Sequence, residues 1–466
     1  MAFDPEYVSR VLRENFEDAK NLFLSPLVAI HYAHLVMLRR QEIIGAADAR
    51  ALRAALDAIS LPAVMATPFD HACEDLFFHI ERLLVQSCGE DVAGRLRAAR
   101  SRNDIDMTMY RMRQREFVAL LMAAAVDLRS ALIDVADRHR ETIFAAHTHT
   151  QPAQPTTIAH YLLAVIEQLE RDHVRLQAAY ASTNKSPLGA CAITGTGFPI
   201  DRQLTSDLLG FDEPTGNTYG SIATVDYLLE SVSAAQVLLA GLGRFVQDLL
   251  LWCTREVGYL RLADGLVQGS SIMPQKRNPV ALEHARSITS KALGQAAAIV
   301  TAVHNTPFGD IVDTEDDLQP LVASMFRDAH RAVALLAASM RGAEFDVERL
   351  RARAEEGGTT STELADRLVR DHDVPFSKAH ALAAAYMAGD VKDAVRKYTP
   401  DELAIITSAR QFVEVRRTPG GPAPPETARA LAASRERLDR DRAWLSDARK
   451  KLDEAEAKRR QLAQEL

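Results

Sequence analysis

The chain has 466 residues, 47% of them hydrophobic and 25% charged, with a formal net charge of −8. That composition suits a globular protein with room for two or three domains around a large core, and the scattered basic residues exclude the concentrated cationic face that nucleic acid requires. The four cysteines, Cys73, Cys88, Cys191 and Cys253, are too few and too dispersed for a disulfide framework or a local CxxC metal site, so inert thiols are expected, with neither metal nor cofactor.

Taken in chain order, the amino terminus MAFDPEYVSR has no apolar core behind a basic start. The longest apolar runs, such as FVALLMAAAV, are shorter than a bilayer span. A cytoplasmic protein with no membrane partner is expected. Arg100, Ser101, Arg102, Asn103 and Asp104 then place two guanidiniums around a hydroxyl and an amide. Guanidinium forks suit carboxylates, and the same stretch also reads as a helix start capped by Ser101 or Asn103. An apolar stretch from 109 to 140 follows, long enough for one extended helix.

The segment AAHTHTQPAQPTTIAHYLLA brings His147, Thr148, His149, Gln151, Gln154 and His160 together ahead of a helical stripe at Leu162, Ile166, Leu169, His173 and Leu176. His147 and His149 are too close for helix-borne metal ligands, so a proton-transfer role suits them better. Gly, Pro, Ser and Thr break the pattern over 182–203. Leu228, Val232, Ala235, Leu239, Leu242, Val246 and Leu249 then mark one face of a helix of about thirty residues. No convincing strand alternation appears, which predicts an all-α helical bundle whose stripes pack on other long helices, including those of other subunits.

Residues 268 to 284, QGSSIMPQKRNPVALEH, interrupt this helical rhythm with Gly269, Ser270, Ser271, Pro274, Lys276, Arg277, Asn278 and Pro279. The prolines make it a loop. Its lysine, amide and hydroxyls make an anion cradle, and a serine becomes a base only where donors and positive charge stabilise its alkoxide. Further on, EEGGTTSTE precedes a region of shorter helices, and RRTPGGPAPPE introduces a charged tail. Leu431, Leu438, Leu445 and Leu452 recur there every seven residues, joined by Ala448, Ala455, Leu462 and Leu466, with Arg459 breaking the row. Either a docked helix or a solvated one fits that pattern.

GSSIMPQKRNP resembles the GSSxMPxKxNP signature of the fumarase/aspartase superfamily, whose members eliminate an amine or water from a succinyl group and release fumarate. RSRND at 100–104, THTQPAQPTTIAHYLLA, PLG and GTGFPIDR near 187–202, LGF at 209–211, VPF with His380, and RRTPGGPAP are similar to argininosuccinate lyase. The likeness spans the chain except for its last twenty-odd residues. It implies an all-α, three-domain fold divided near 1–104, 105–355 and 356–466, a long central bundle shared by a homotetramer, and active sites built from several subunits. It also implies that Ser270 takes a proton beside a carboxylate while Lys276 and Asn278 hold the resulting aci-carboxylate. Ser101, Arg102, Asn103, Thr148, Gln151 and Ser271 would bind a dicarboxylate substrate, and His149 with Glu283 would assist protonation of the departing nitrogen.

The departures from that family lie where the amine half should sit. Leu27, Ile30 and His31 stand before Ala33-His34 in place of an Asp-x-x-Gly-Ser motif, and Phe77 stands for a histidine. Ala223, Thr224, Val225 and Asp226 replace Ser-Asp-Arg-Asp. NTPFGDIVDTEDDLQP has Phe308 nearest the expected tyrosine and no lysine. Its acids, Asp310, Asp313, Glu315, Asp316 and Asp317, would repel an α-carboxylate, or else face solvent. A carbon–nitrogen lyase acting on an N-substituted aspartate is expected, with argininosuccinate lyase proper and a non-catalytic relative as alternatives.

Overall fold

Ser101 has an extended backbone and forms a capping box with Asp104, and this starts a helix of 37 residues, the longest of the five that carry the fold. The computed structural model describes residues 3–71, 73–391 and 394–466. We label the main elements α1 (Arg13–Arg40), α2 (Ala46–Asp57), α3 (Leu76–Cys88), α4 (Arg102–Arg138), α5 (Ile158–Thr183), α6 (Asp226–Trp252), α7 (Val280–Val303), α8 (Gln319–Arg341), α9 (Val347–Glu355), α10 (Ser361–His372), α11 (Phe376–Met387) and α12 (Pro424–Gln464). Helices α4 to α8 close a ring in which α4 packs on α5, α5 on α6, α6 on α7, α7 on α8 and α8 back on α4.

Both predicted stripes are buried against neighbouring helices, with His173 facing Asp441 and Trp444 of the C-terminal helix. Leu162, Ile166, Leu169, His173 and Leu176 on α5, and all seven stripe positions on α6, are buried. Polar contacts fix the rotation of neighbouring helices: the hydroxyls of Thr183 and Ser231 lie 3.2 Å apart between α5 and α6, and Lys291 reaches the buried Asp328 at 2.8 Å between α7 and α8. The opposite side of α6 keeps apolar groups in solvent, with Val237 45% and Leu251 51% exposed. By length and composition, Pro5–Arg40 and Asp226–Trp252 could each cross a bilayer, which corrects the reading from uninterrupted runs. Single polar residues divide these segments in the sequence, so their apolar length shows only once the helix bounds are known.

Short strands accompany the helices. β1 (Ile143–Thr148) pairs antiparallel with β2 (Gln151–Thr157), and β3 (Gln268–Gly269) pairs antiparallel with β4 (Arg277–Asn278). Prolines 152 and 155 lie on this two-stranded hairpin, where edge positions tolerate a missing donor. Helices α10 and α11 build a separate small core around Leu364, Leu368, Ala379, Leu382 and Tyr398.

The charged tail docks. α12 runs 41 residues back along α4, α1 and α5, burying Leu431, Leu438, Ala455 and Ala463. Trp444 sets its ring edge-on to Tyr180 at 5.3 Å, and Arg437 reaches Glu170 at 2.7 Å. Because packing rather than exposed ion pairs holds such a helix, Leu438→Ala is expected to lower unfolding free energy by about 2–4 kcal/mol. Chemical denaturation checks this, and an unchanged midpoint would mean that the tail contributes no packing.

Candidate active site

The loop after β3 folds on its own backbone. Gln268 pairs with Asn278 and Gly269 with Arg277, so 270–276 form the tip of a small hairpin. Arg277 holds the base of that hairpin through the Asp264 carboxylate and the Leu262 carbonyl. At the tip, the Ser270 hydroxyl oxygen accepts the backbone N–H of Ile272 at 3.3 Å and of Met273 at 3.1 Å. Two amide donors on one hydroxyl oxygen favour its deprotonated form, which is what a serine base requires. Ser271 and Lys276 are exposed beside it, and Ile272 is 83% exposed. Asn278 leads into α7, whose first turn carries Glu283.

The β1–β2 hairpin presents the second group. Thr148 pairs with Gln151, leaving His149 and Thr150 as a two-residue turn with φ of 51° and 65°. Such a turn matches the twist of the strands but strains residues that carry a Cβ, at a cost of about 1–3 kcal/mol each. It thrusts the His149 side chain outward. Below the tip, His160 joins the hairpin to the RRTPGG loop: Nε2 lies 2.9 Å from the Gly420 carbonyl and Nδ1 2.7 Å from the Thr156 hydroxyl. A carbonyl only accepts, so Nε2 carries the proton and Nδ1 accepts from Thr156. The seam lines a cavity of about 1250 Å³ that includes His147, Gln151, Gln154 and Arg416. Gln154 donates to Thr362 at 3.0 Å.

The third group opens α4. The Ser101 hydroxyl donates to Asn103 Oδ1 at 2.6 Å, and Arg102 pairs with Glu74 at 3.1 Å and Asp75 at 2.7 Å. Asp104, for which the sequence suggested no role of its own, is fully buried and accepts N–H groups from Ser101, Gly189 and Cys191 at 2.8–3.0 Å. Burial pushes its carboxyl up to about 6 against those three donors. Gly189 has φ 89°, and a Cβ there would meet Arg202 at 2.7 Å, so only glycine brings that amide to Asp104. Among the described residues no hydrogen bond or ion pair joins the three groups within one chain.

The positions that depart from the resemblance behave differently. His31 and His34 are buried and held below the usual imidazole range, first by burial and then by Arg100, which lies 2.8 Å from His31 Nδ1. Phe77 packs on His31 and Arg100, forming an apolar support under the start of α4. Near Arg102, however, carboxyls accumulate. Asp316 accepts from Tyr110 at 3.2 Å and from Asn15 at 3.3 Å, and Glu315 lies beside Asp310. Burial and then Asp310 push Glu315 up to about 8, while Asp106 is pushed well above the carboxylate range by burial and then by Asp316. Two residues before Asp310, Phe308 is 67% exposed and stacks on Tyr219 with centroids 6.0 Å apart. Asp106 and Tyr110 were missed in sequence because only the fold brings α4 against the 310–317 loop.

A lyase family profile matches residues 39–294. The chain is 40% identical to argininosuccinate lyase 2 of Agrobacterium fabrum, over 99% of this chain and 96% of that protein. The crystal structure of EDDS lyase in complex with formate superposes with a TM-score of 0.87 at 28% identity, covering 100% of this chain and 96% of that one. A double variant of EDDS lyase with bound fumarate superposes with a TM-score of 0.85, also at 28% identity. The chain therefore belongs to the argininosuccinate lyase family of the fumarase/aspartase superfamily, as a carbon–nitrogen lyase that releases fumarate from an N-substituted aspartate.

Proposed function

We propose that this enzyme cleaves an N-substituted aspartate whose amine half is cationic and lacks a carboxylate, with Ser270 as the base. The observation that carries the base assignment is the pair of amide N–H groups on Ser270 Oγ. The serine alkoxide takes the proton from the carbon beside a substrate carboxylate, and that carboxylate becomes the dianionic aci form. Lys276 and Asn278 balance its charge, because fixed donors cost no reorganisation when the charge develops. The electron pair then expels nitrogen, the carbon–carbon double bond of fumarate forms, and the amine leaves with a proton that His149, oriented by Glu283, helps to supply. Ser101, Arg102, Asn103, Thr148, Gln151 and Ser271 hold the two carboxylates of the succinyl half.

Three separated groups in one chain and the apolar solvent side of α6 support a homotetramer in which copies complete one another's sites. Ser270→Ala is expected to lower turnover by several orders of magnitude while light scattering still reports a tetramer. Near-normal turnover would remove Ser270 as the base, and a monomeric wild type would remove the shared site.

The amine assignment rests on the carboxyls around Asp106, Tyr110 and Asp316, on the exposed Tyr219–Phe308 pair, and on the absence of lysine from 305–320. A cation is attracted by ring faces and draws the crowded acids toward their ionised form, whereas a carboxylate gains neither interaction. The 40% identity to a protein named argininosuccinate lyase favours the alternative substrate, and kcat/KM decides between them. An N-substituted aspartate bearing a carboxylate-free cationic amine is expected to exceed argininosuccinate by about a hundredfold or more. Equal or better cleavage of argininosuccinate would establish the alternative.

The same carboxyls predict a pH effect. Glu315 titrates at about 8 in the fold against 4.5 for the free side chain, so the native state keeps a proton that the unfolded chain releases. Its contribution to stability is complete below about 4.5 and is lost as pH rises through 8. Buried histidines such as His31 and His34 act in the opposite sense below 6.5, so the informative quantity is a difference between proteins. Thermal melts should show Glu315→Gln gaining on the wild type from pH 5 to pH 8; a constant difference would show that Glu315 is ionised throughout.

A further inference from the structure

Arg459, which breaks the leucine row of the tail, faces a cavity of about 690 Å³ enclosed by α1, α2, α4 and the end of α12. Five arginines line it, and three of them have carboxylate partners inside it: Arg53 with Asp57, Arg113 with Glu116, and Arg460 with Glu456. The other two do not. Arg115 donates to Asn184 Oδ1 at 2.9 Å and to the Leu209 carbonyl at 2.6 Å, and Arg459 donates to the Leu208 carbonyl at 2.9 Å. Among the described residues neither guanidinium forms an ion pair, and the buried Nε of Arg115 has no hydrogen-bond partner. Each weakens the case for burying the other: burial, with repulsion from Arg459, brings Arg115 down to about 10.

Carbonyls and the Phe211 ring, 4.6 Å from the Arg115 guanidinium, satisfy part of this demand. The carboxylates of Glu116 and Glu456 are already paired with Arg113 and Arg460, so neither Arg115 nor Arg459 has a carboxylate partner of its own, which is costly away from bulk water. Guanidinium forks match the oxygens of phosphate and carboxylate groups. The hydroxyls of Ser25 and Tyr32 also line the space, although Tyr32 already donates to Asp57. From this pair of guanidiniums without carboxylate partners, in a cavity whose lining includes neither Ser270 nor His149, we propose that the chain binds a small dianion, a phosphate or a short dicarboxylate, between Arg115 and Arg459. The bound anion clamps the end of α12 to the N-terminal half of α4, the helix that opens with Ser101, Arg102 and Asn103.

Calorimetric titration of the full-length protein with inorganic phosphate and, separately, with succinate tests this at constant ionic strength set with chloride. Saturable binding of at least one of them is expected in the wild type and in Ser270→Ala. Arg459→Gln should weaken it roughly tenfold or more, Arg459→Lys should weaken it less, and kcat/KM should stay at the wild-type value in both. Succinate held by the candidate active site would instead keep its affinity in Arg459→Gln, so the variant separates the two locations, and the anion whose affinity falls is the occupant. Absence of saturable binding by either anion in the wild type, or affinity unchanged in Arg459→Gln for both, would overturn the proposal.

Discussion

The buried carboxylate of Asp104 is the contact on which the arrangement of the candidate site depends. It receives three backbone N–H groups, one from the start of its own helix and two from the loop around Gly189 and Cys191. A carboxylate without water is expensive, and only this number of convergent donors makes the burial tolerable. In return the first turn of α4 has a single position. Ser101, Arg102 and Asn103 inherit that position, and so does the whole ring, since α4 is its longest member and packs on two of the other four helices. Phe77, His31 and Arg100 support the same turn from beneath.

The candidate reactive groups stand on backbone features rather than on helix faces. Ser270 sits in a tight hairpin tip where amides reach its oxygen, and His149 sits in a strained two-residue turn. Both are hairpin turns at the edge of a helical scaffold, and helices alone would not offer free amides in mid-element. The chain thus places its short strands where chemistry is expected and its helices where burial is needed. His160 extends this logic, binding the hairpin to the loop at Gly420 with both ring nitrogens.

The acid-rich pocket beside Arg102 works against stability. Burial and mutual repulsion push the carboxyls of Asp106, Glu315 and Asp316 above their ordinary range, so protons are favoured on groups that would be ionised in water. A fold selected only for stability has no use for such an arrangement. On the proposed reading, a cationic amine would relieve this crowding, and the electrostatic cost would act as selectivity.

Periodicity and motif chemistry carried much of this protein. The stripes on α5 and α6 followed from apolar spacing alone, because a helix must bury one face. The loop at 268–279 was legible because two prolines forbid helix, and its lysine and serines named the chemistry. Other features were invisible for identifiable reasons. Gly189 and Cys191 lie far along the chain from Asp104, so a charge buried between them leaves no local pattern. Asp106 and Tyr110 read as ordinary positions in a helix until α4 meets the 310–317 loop. The tail carried equal signals for docking and for solvation, and only the fit of Leu431 and Leu438 against the bundle decided for docking. Sequence determined which segments are helical and which groups are candidates for the chemistry, since both depend on neighbours a few residues away; tertiary structure decided which charges are buried without partners, since desolvation depends on what the whole chain folds around them.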